Sequence, residues 1–115
     1  MNLFLLRVVL ASQKHQEEAL KILRRLTGPT QVQPGCLACD VFQQEPTQEQ
    51  PQVCFLEKWE TQEHLERHIR SEAFRKVLAV MDLGCEPPDI EFDTMSRTQG
   101  MELIQTLRGG SDAVS

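Results

Sequence analysis

Aromatic residues are scarce in this sequence, which contains no Tyr, one Trp and five Phe. Proteins that bind single-stranded nucleic acids stack the bases on several aromatic side chains, and that platform is missing here. Positive charge is also in deficit, because twelve basic residues face seventeen acidic residues and leave a net charge of −5. A surface with this balance repels phosphate backbones. We therefore predict no nucleic-acid partner.

The sequence also lacks an apolar run long enough to cross a membrane. Its most apolar stretch, residues 1–10, is interrupted by Arg7 and falls short of the roughly 20 residues that a transmembrane helix needs. No basic segment and no small-residue cleavage pattern mark it as a signal peptide. We expect this stretch to be a buried strand of a cytoplasmic protein that has no membrane partner.

Cysteines are present, but their spacing argues against metal or redox chemistry. Cys36 and Cys39 form a CxxC pair, whereas Cys54 and Cys85 are too far apart to supply a second close ligand pair for zinc. A redox CxxC needs a helix N-terminus to lower the pKa of its first thiol, and here a strand is expected to follow Pro34-Gly35. We predict reduced core cysteines and no metal site. The alternative is a metal or redox role for the CxxC pair.

Hydrophobic periodicity and turn signals divide the chain into a clear order of elements. The predicted strands are residues 2–11, 36–45, 52–59 and 90–96, with a turn at 46–50 that makes the middle two a hairpin. Ser12, Thr61 and Ser71 are expected helix N-caps, Gly28-Pro29 should end the first helix just after Arg24 and Arg25, and Gly84 should end the third. A short amphipathic helix is expected over residues 101–108.

This order, β-α-β-β-α-β with an extra C-terminal helix, predicts an α+β protein of ferredoxin-like topology. One antiparallel sheet would carry the helices on a single face. We assign residues 1–108 to one domain and residues 109–115 to a flexible tail.

The strands are apolar on both sides, which a sheet covered on one face does not explain. In the first strand Phe4, Leu6, Val8 and Leu10 alternate with Leu3, Leu5 and Val9; in the second, Leu37, Cys39 and Val41 alternate with Ala38 and Phe42; in the third, Val53, Phe55 and Trp59 alternate with Cys54 and Leu56. An open apolar face of this size is rare on a monomer. We therefore predict a two-fold homodimer joined through the sheet face. The alternative is that the C-terminal helix folds back over that face.

Residues 55–81, FLEKWETQEHLERHIRSEAFRKVLAVM, combine a strand that ends in Glu-x-Trp, a capped helix with a His, and Ser-x-x-Phe at the next helix. This pattern resembles the antibiotic biosynthesis monooxygenase family. The resemblance implies a dimeric α/β barrel, in a family that includes quinol and anthrone monooxygenases, heme-degrading enzymes and isomerases of a phosphorylated sugar. The heme-degrading branch uses an Asn, a Trp and a His where this chain has Arg7 or Val8, His68, and Leu78 or a neighbour. The anthrone-oxidising branch uses Tyr, which is absent here. Both activities are therefore disfavoured.

By this resemblance, the expected function is cofactor-independent monooxygenation of a small aromatic or quinol-like substrate with O2. Such an oxidoreductase needs no cofactor, because the deprotonated substrate itself passes an electron to O2, and the protein supplies a base and a dry pocket. The alternatives are a small-molecule isomerase on the same scaffold and a non-catalytic ligand-binding module.

His68 is the candidate catalytic base, since imidazole titrates near neutral pH and His68 flanks the apolar stripe that contains Leu65. We expect it to be partly buried at the edge of a helix–sheet cavity; the alternative is a structural histidine. His15 and His64 should be exposed, and Arg7 should lie at the dimer interface or the pocket. The candidate substrate-binding residues, for most of which core packing is the alternative role, are Trp59, Glu57, Phe55, Phe74, Leu65 and Met81.

Overall fold

The computed structural model describes residues 1–43, 50–96 and 100–114, with side chains as far as residue 109. The described residues form four strands and four helices in the predicted order. They are β1 (Asn2–Val9), α1 (Gln13–Gln31), β2 (Cys36–Gln43), β3 (Gln52–Trp59), α2 (Gln62–Ile69), α3 (Glu72–Leu83), β4 (Asp89–Thr94) and α4 (Met101–Val114).

The strands form one sheet in the order β2-β3-β1-β4, and every neighbouring pair is antiparallel. This order follows from the connections: the hairpin joins β2 to β3, and each helical crossover carries the chain to the far side of β1 or β3. The predicted α+β ferredoxin-like fold is confirmed. β3 has the predicted bounds.

The two faces of the sheet differ in what covers them. One face, which carries Phe4, Leu6 and Val8 of β1, is fully buried against leucines of α1 and apolar residues of α3. We call the opposite face the open face. Its exposed apolar side chains include Leu5, which is 36% exposed, and Phe42, which is 52% exposed. Burial of one face therefore supplies the monomer's core and leaves the second apolar face uncovered.

Helix α1 is longer than the sequence predicts. Gly28-Pro29 does not end it; Pro29 lies inside the helix, which continues to Gln31, so Arg24 and Arg25 are not in its last turn. Proline removes one backbone donor, but the last turn is held to β2, because Gln31 Nε2 donates to the carbonyl of Cys39 at 2.9 Å. Tertiary packing thus outweighs the local stop signal.

Helices α2 and α3 begin where predicted, with different caps. Thr61 Oγ1 accepts a hydrogen bond from the His64 amide at 3.2 Å, as an N-cap should. Ser71 is the N-cap residue of α3, but its side chain makes no capping bond and instead donates to the carbonyl of His68 at 2.6 Å. Gly84 ends α3 as expected.

Strand β2 contains an irregularity that the alternating pattern does not predict. The register shifts between Cys36 and Ala38, so Leu37 is bulged out, 55% exposed, and does not share the buried environment of Cys39. The predicted end of this strand at residues 44–45 and most of the predicted turn lie outside the described residues. Strand β4 begins one residue earlier than expected and ends two residues earlier.

Helix α4 does not cover the sheet. Its described side chains are all exposed. If the helix lay across the open face, its Leu103 and Ile104 would be buried, and so would Phe42 of that face, but all three are exposed. The alternative in which the C-terminal helix folds back is therefore wrong for this chain. The helix also continues beyond residue 108, to Val114. In the described part of the chain, no helix combines the length and the apolar character needed to span a membrane.

Candidate functional site

A buried carboxylate and imidazole form the centre of the candidate site. His68 Nε2 lies 2.7 Å from Glu57 Oε2, and the two side chains are 1% and 0% exposed. An ionised carboxylate only accepts hydrogen bonds, so with Glu57 ionised this contact needs a proton on Nε2. We call these two residues the Glu57–His68 pair.

The fold brings the pair together from two elements. Strand alternation turns Glu57 of β3 toward the helices, opposite Cys39 on β2 and Phe4 on β1. His68 lies one turn after Leu65 on the same side of α2, so the face that buries Leu65 also buries His68. The short connection between β3 and α2 places this face directly over the end of β3.

The other atoms of the pair are also engaged. Trp59 Nε1 donates to Glu57 Oε1 at 3.2 Å, and the Trp59 and His68 rings pack with centroids 4.7 Å apart. Phe74 contacts the His68 ring edge-on at 5.6 Å. His68 Nδ1 lies 3.2 Å from Gln33 Oε1. Every polar atom of the pair thus has a polar neighbour within hydrogen-bonding distance, as buried polar groups require.

Three of the predicted site residues therefore surround His68, namely Glu57, Trp59 and Phe74. The other three take part in the surrounding core: Phe55 packs edge-on against Phe4 at 6.5 Å, Leu65 is buried, and Met81 packs at the margin of the core. His68 is more deeply buried than the sequence indicates. It was expected at the edge of a cavity, and it lies enclosed beneath the turn that carries Gln33.

A groove opens beside the buried pair, between α2 and the edge strand β4. Its volume is about 240 Å³. Asn2, at its floor, is the β1 partner of Trp59 and accepts a hydrogen bond from Thr94 Oγ1 at 3.0 Å. We call it the α2–β4 groove; its lining includes Asn2, Leu65, Ile69, Phe92 and Thr94. A larger hollow of about 580 Å³ lies on α1 and contains none of the predicted site residues.

Residues 5–80 match the family model described as antibiotic biosynthesis monooxygenase. The chain belongs to this family. The match covers the four central elements and most of β1 and α3, so it includes Glu57, Trp59 and His68. The predicted family is confirmed.

Solved structures share the fold at low sequence identity. An antibiotic biosynthesis monooxygenase is 20% identical with a TM-score of 0.68, and 84% of this chain covers 100% of that one. PA3566 from Pseudomonas aeruginosa is 24% identical with a TM-score of 0.62, and 85% of this chain covers 95% of it. SnoaB, a cofactor-independent oxygenase from Streptomyces nogalater, is 14% identical with a TM-score of 0.65, and 84% of this chain covers 94% of it. No curated protein matches the chain at a significant level.

The two thiols of the CxxC pair have raised pKa values, which is typical of structural cysteines. Burial raises the pKa of the Cys39 thiol to about 12, and the nearby charge of Glu57 acts in the same direction. Burial also raises the pKa of Cys36. A redox or metal-binding thiol needs the opposite shift. All four cysteines are free, but Cys85 is exposed and is not the core cysteine that was predicted.

The remaining predicted polar residues lie away from the buried pair. Arg7 is on the open face, where it pairs with Asp89. His15 is exposed, as expected, whereas His64 is half-buried and its ring packs on Gly35. Within the described ranges, no cluster of three or more His, Cys, Asp or Glu side chains could hold a metal ion.

Sequence reasoning missed Gln33, which reaches His68 from the turn between α1 and β2, and Asn2 at the floor of the groove. A glutamine in a turn carries no local signal, and its partner is 35 residues away. Asn2 could have been recognised as a polar residue on the buried side of an otherwise apolar strand.

Proposed function

We propose that this protein is a cofactor-independent monooxygenase that oxidises a small aromatic or quinol-like substrate with O2. The observation that carries the proposal is the fully buried Glu57–His68 pair in a member of this family. A carboxylate and an imidazole held 2.7 Å apart form the base and the group that orients it.

The first step is proton removal at His68. In the proposed reactive form, Glu57 accepts a hydrogen bond from Nε2–H, and Nδ1 has the free electron pair once Gln33, whose Oε1 faces it at 3.2 Å, has turned away. When a substrate hydroxyl donates to Nδ1, the O–H bond breaks, an N–H bond forms, and the electron pair stays on the substrate oxygen. The buried carboxylate stabilises the resulting imidazolium, and this charge pairing lowers the barrier.

Oxidation then needs only the anion and O2. The phenolate transfers one electron to O2, the substrate radical and superoxide combine at a ring carbon, and the peroxide loses water to leave a quinone. One oxygen atom of O2 enters the product as a carbonyl and the other leaves as water with two substrate hydrogens. The substrate supplies all the electrons, so no resident cofactor is required.

We propose that the substrate hydroxyl reaches Nδ1 from the side of the α1–β2 turn, where the half-buried Gln33 faces that atom. The α2–β4 groove, on the other side of the buried pair, is a further candidate surface for an aromatic ring. It combines the exposed Phe92 ring with Leu65 and Ile69, and it places the Asn2 amide at its floor. An aromatic ring would pack on the apolar side chains, and its polar group would meet Asn2. Since Asn2 is the strand partner of Trp59, the groove ends beside the ring that packs on His68.

We further propose that the working form is a homodimer joined through the open face. Leu5 and Leu56 are strand partners at its centre, and Phe42 adds an exposed ring. A second copy would remove this apolar surface from water. The Arg7–Asp89 ion pair lies on the same face and would contribute a polar rim.

Oxygen uptake tests the proposed reaction. Purified protein is mixed with a panel of hydroquinones, naphthohydroquinones and simple phenols in an oxygen-electrode cell, with Glu57→Gln as the matched control. We expect uptake that depends on the wild-type protein for at least one class and is lost in the control.

The same panel separates the alternatives. In deuterated water, an isomerase would exchange an acidic substrate hydrogen without consuming O2, and a binding module would retain the ligand without either change. Either outcome, together with no oxygen uptake above the Glu57→Gln control, would contradict the monooxygenase proposal.

A further inference from the structure

The geometry at His68 points to a role for Gln33. We propose that its side-chain amide contacts Nδ1 of His68 in the resting protein and is displaced from that atom by the substrate hydroxyl. This inference rests on the proposed function. It makes Gln33 a positioning residue that sets how readily a phenolic substrate reaches the base.

His68 has one ring nitrogen that a substrate can use. Nε2 is bonded to Glu57, whose second oxygen holds the Trp59 indole N–H at 3.2 Å. Because Glu57 is completely buried, nothing can enter on that side without breaking the pair. A substrate must therefore reach Nδ1, and Nδ1 is the atom that faces Gln33 at 3.2 Å.

Gln33 is the partner of His68 that can move away. It is half-buried, whereas Glu57, Trp59 and Phe74 are all fully or almost fully buried. Its side chain carries three rotatable bonds and one hydrogen bond to the ring. Rotating it outward exchanges a single neutral hydrogen bond for bonds to water, a small change compared with separating Glu57 from His68.

The Gln33 amide and the proposed substrate offer Nδ1 similar hydrogen-bonding groups. After a half-turn, the Gln33 amide can donate through its NH2 group to a neutral Nδ1; as the structure has it, the Gln33 oxygen faces Nδ1 and can accept from a protonated Nδ1. A phenolic hydroxyl and the phenolate that remains after proton transfer offer the same two roles in the same order. Gln33 thus satisfies the buried ring in both protonation states while no substrate is present.

The backbone of the turn remains fixed while the side chain moves. Gly35, with φ of +83°, adopts a conformation that favours glycine, and its carbonyl accepts from the Glu60 amide at 2.7 Å. The His64 ring packs so closely that a Cβ at Gly35 would lie 2.2 Å from its Cγ. These contacts hold the turn against the start of α2, so displacement is a side-chain event.

The test uses 1-naphthol as a probe under argon, where no oxidation can occur. We expect Gln33→Ala to bind 1-naphthol with a Kd about five-fold lower than wild type, because the amide no longer has to be displaced. Gln33→Asn, which keeps an amide but shortens its reach, should change Kd in the same direction. The matched control is Gln31→Ala, since Gln31 bonds to the Cys39 carbonyl in the same region and does not touch His68.

A second readout follows the ring directly. In protein labelled with ¹⁵N-histidine, Gln33→Ala should shift the Nδ1 resonance of His68 and leave Nε2 nearly unchanged, whereas Gln31→Ala should move neither. A residue with only a structural role would not lower Kd or KM. Once a turnover substrate is found, the variant should lower its KM and keep kcat within about two-fold.

Several results would overturn the proposal: an unchanged Nδ1 resonance in Gln33→Ala, a Kd that is equal to or higher than wild type, or no 1-naphthol binding by any form. These outcomes differ from failure of the proposed function. Tighter binding in Gln33→Ala without oxygen uptake would support the positioning role of Gln33 and reject the proposed oxygenase activity. Oxygen uptake with an unchanged Kd would support the activity and reject the role of Gln33.

Discussion

Glu57 and His68 meet at 2.7 Å inside the protein, although they are eleven residues apart and belong to a strand and a helix. Burying two polar groups costs free energy unless they bond to each other. The Trp59 indole and the Gln33 amide complete the hydrogen bonds of the pair. This arrangement gives His68 a fixed orientation before any substrate arrives.

Glu57→Gln should reduce turnover by about 100-fold or more, because a neutral amide cannot stabilise the imidazolium that proton transfer creates. The amide keeps the size of Glu57 and can still bond to Trp59, so the fold should survive. Steady-state oxygen uptake measures the effect. The matched control is Glu60→Gln, which changes an exposed residue of the same type and should leave turnover unchanged.

His68→Ala should destabilise the protein by about 3–5 kcal/mol, since it leaves a buried carboxylate without its imidazole partner. Adding Glu57→Gln to it should recover part of that loss, with a coupling free energy of about 1–3 kcal/mol. Guanidinium unfolding of the two single variants and the double variant gives the cycle. His15→Ala, at an exposed histidine, is the control. Strictly additive effects would show that the contact does not contribute to stability.

Cys39 should resist alkylation near neutral pH, because burial raises the pKa of its thiol to about 12 and leaves little reactive thiolate. The exposed Cys85 should react first. The thiol form favours the folded state, so its contribution to stability is complete below the usual cysteine pKa and falls as pH rises from about 9 toward about 12. Iodoacetamide labelling with peptide mass mapping measures the order of reaction. Fast labelling of Cys39 in folded protein would contradict the prediction.

Leu5→Lys should convert a dimer into a monomer, since it places a charge at the centre of the open face, beside Leu56. Analytical ultracentrifugation should give twice the 13.2 kDa chain mass for the wild type and 13.2 kDa for the variant. Leu103→Lys, on the exposed α4, is the control and should not change the mass. A monomeric wild type at micromolar concentration would reject the proposed interface.

The fold was predictable because its signals are local. Alternation in β1 identifies both sheet faces, the Thr61 cap locates the start of α2, and the periodic apolar residues of α3 identify its buried side. These features depend on residues a few positions apart. The end of α1 was not predictable in this way, because the bond from Gln31 to Cys39 that holds its last turn is a tertiary contact.

The candidate site was predictable only in part, for the same reason. The Glu-x-Trp strand end and the helix histidine identify Glu57, Trp59 and His68. Their mutual contacts, however, depend on how α2 crosses the sheet. Gln33 reaches the ring from a turn whose sequence gives no functional signal. Leu65 is the one predicted lining residue that borders the α2–β4 groove, because the groove forms beside the pair and His68 itself is enclosed.

The central claim is that the Glu57–His68 pair removes a proton so that the substrate reacts with O2 directly. It is tested most directly by supplying ¹⁸O2 to dialysed wild-type protein with the best substrate of the panel and measuring the mass of the product by mass spectrometry. We predict one ¹⁸O atom in the product carbonyl, one O2 consumed for each product, and a rate of labelled product formation that falls about 100-fold in Glu57→Gln. Product without ¹⁸O, or labelled product formed at equal rates by wild type and Glu57→Gln, would contradict the claim.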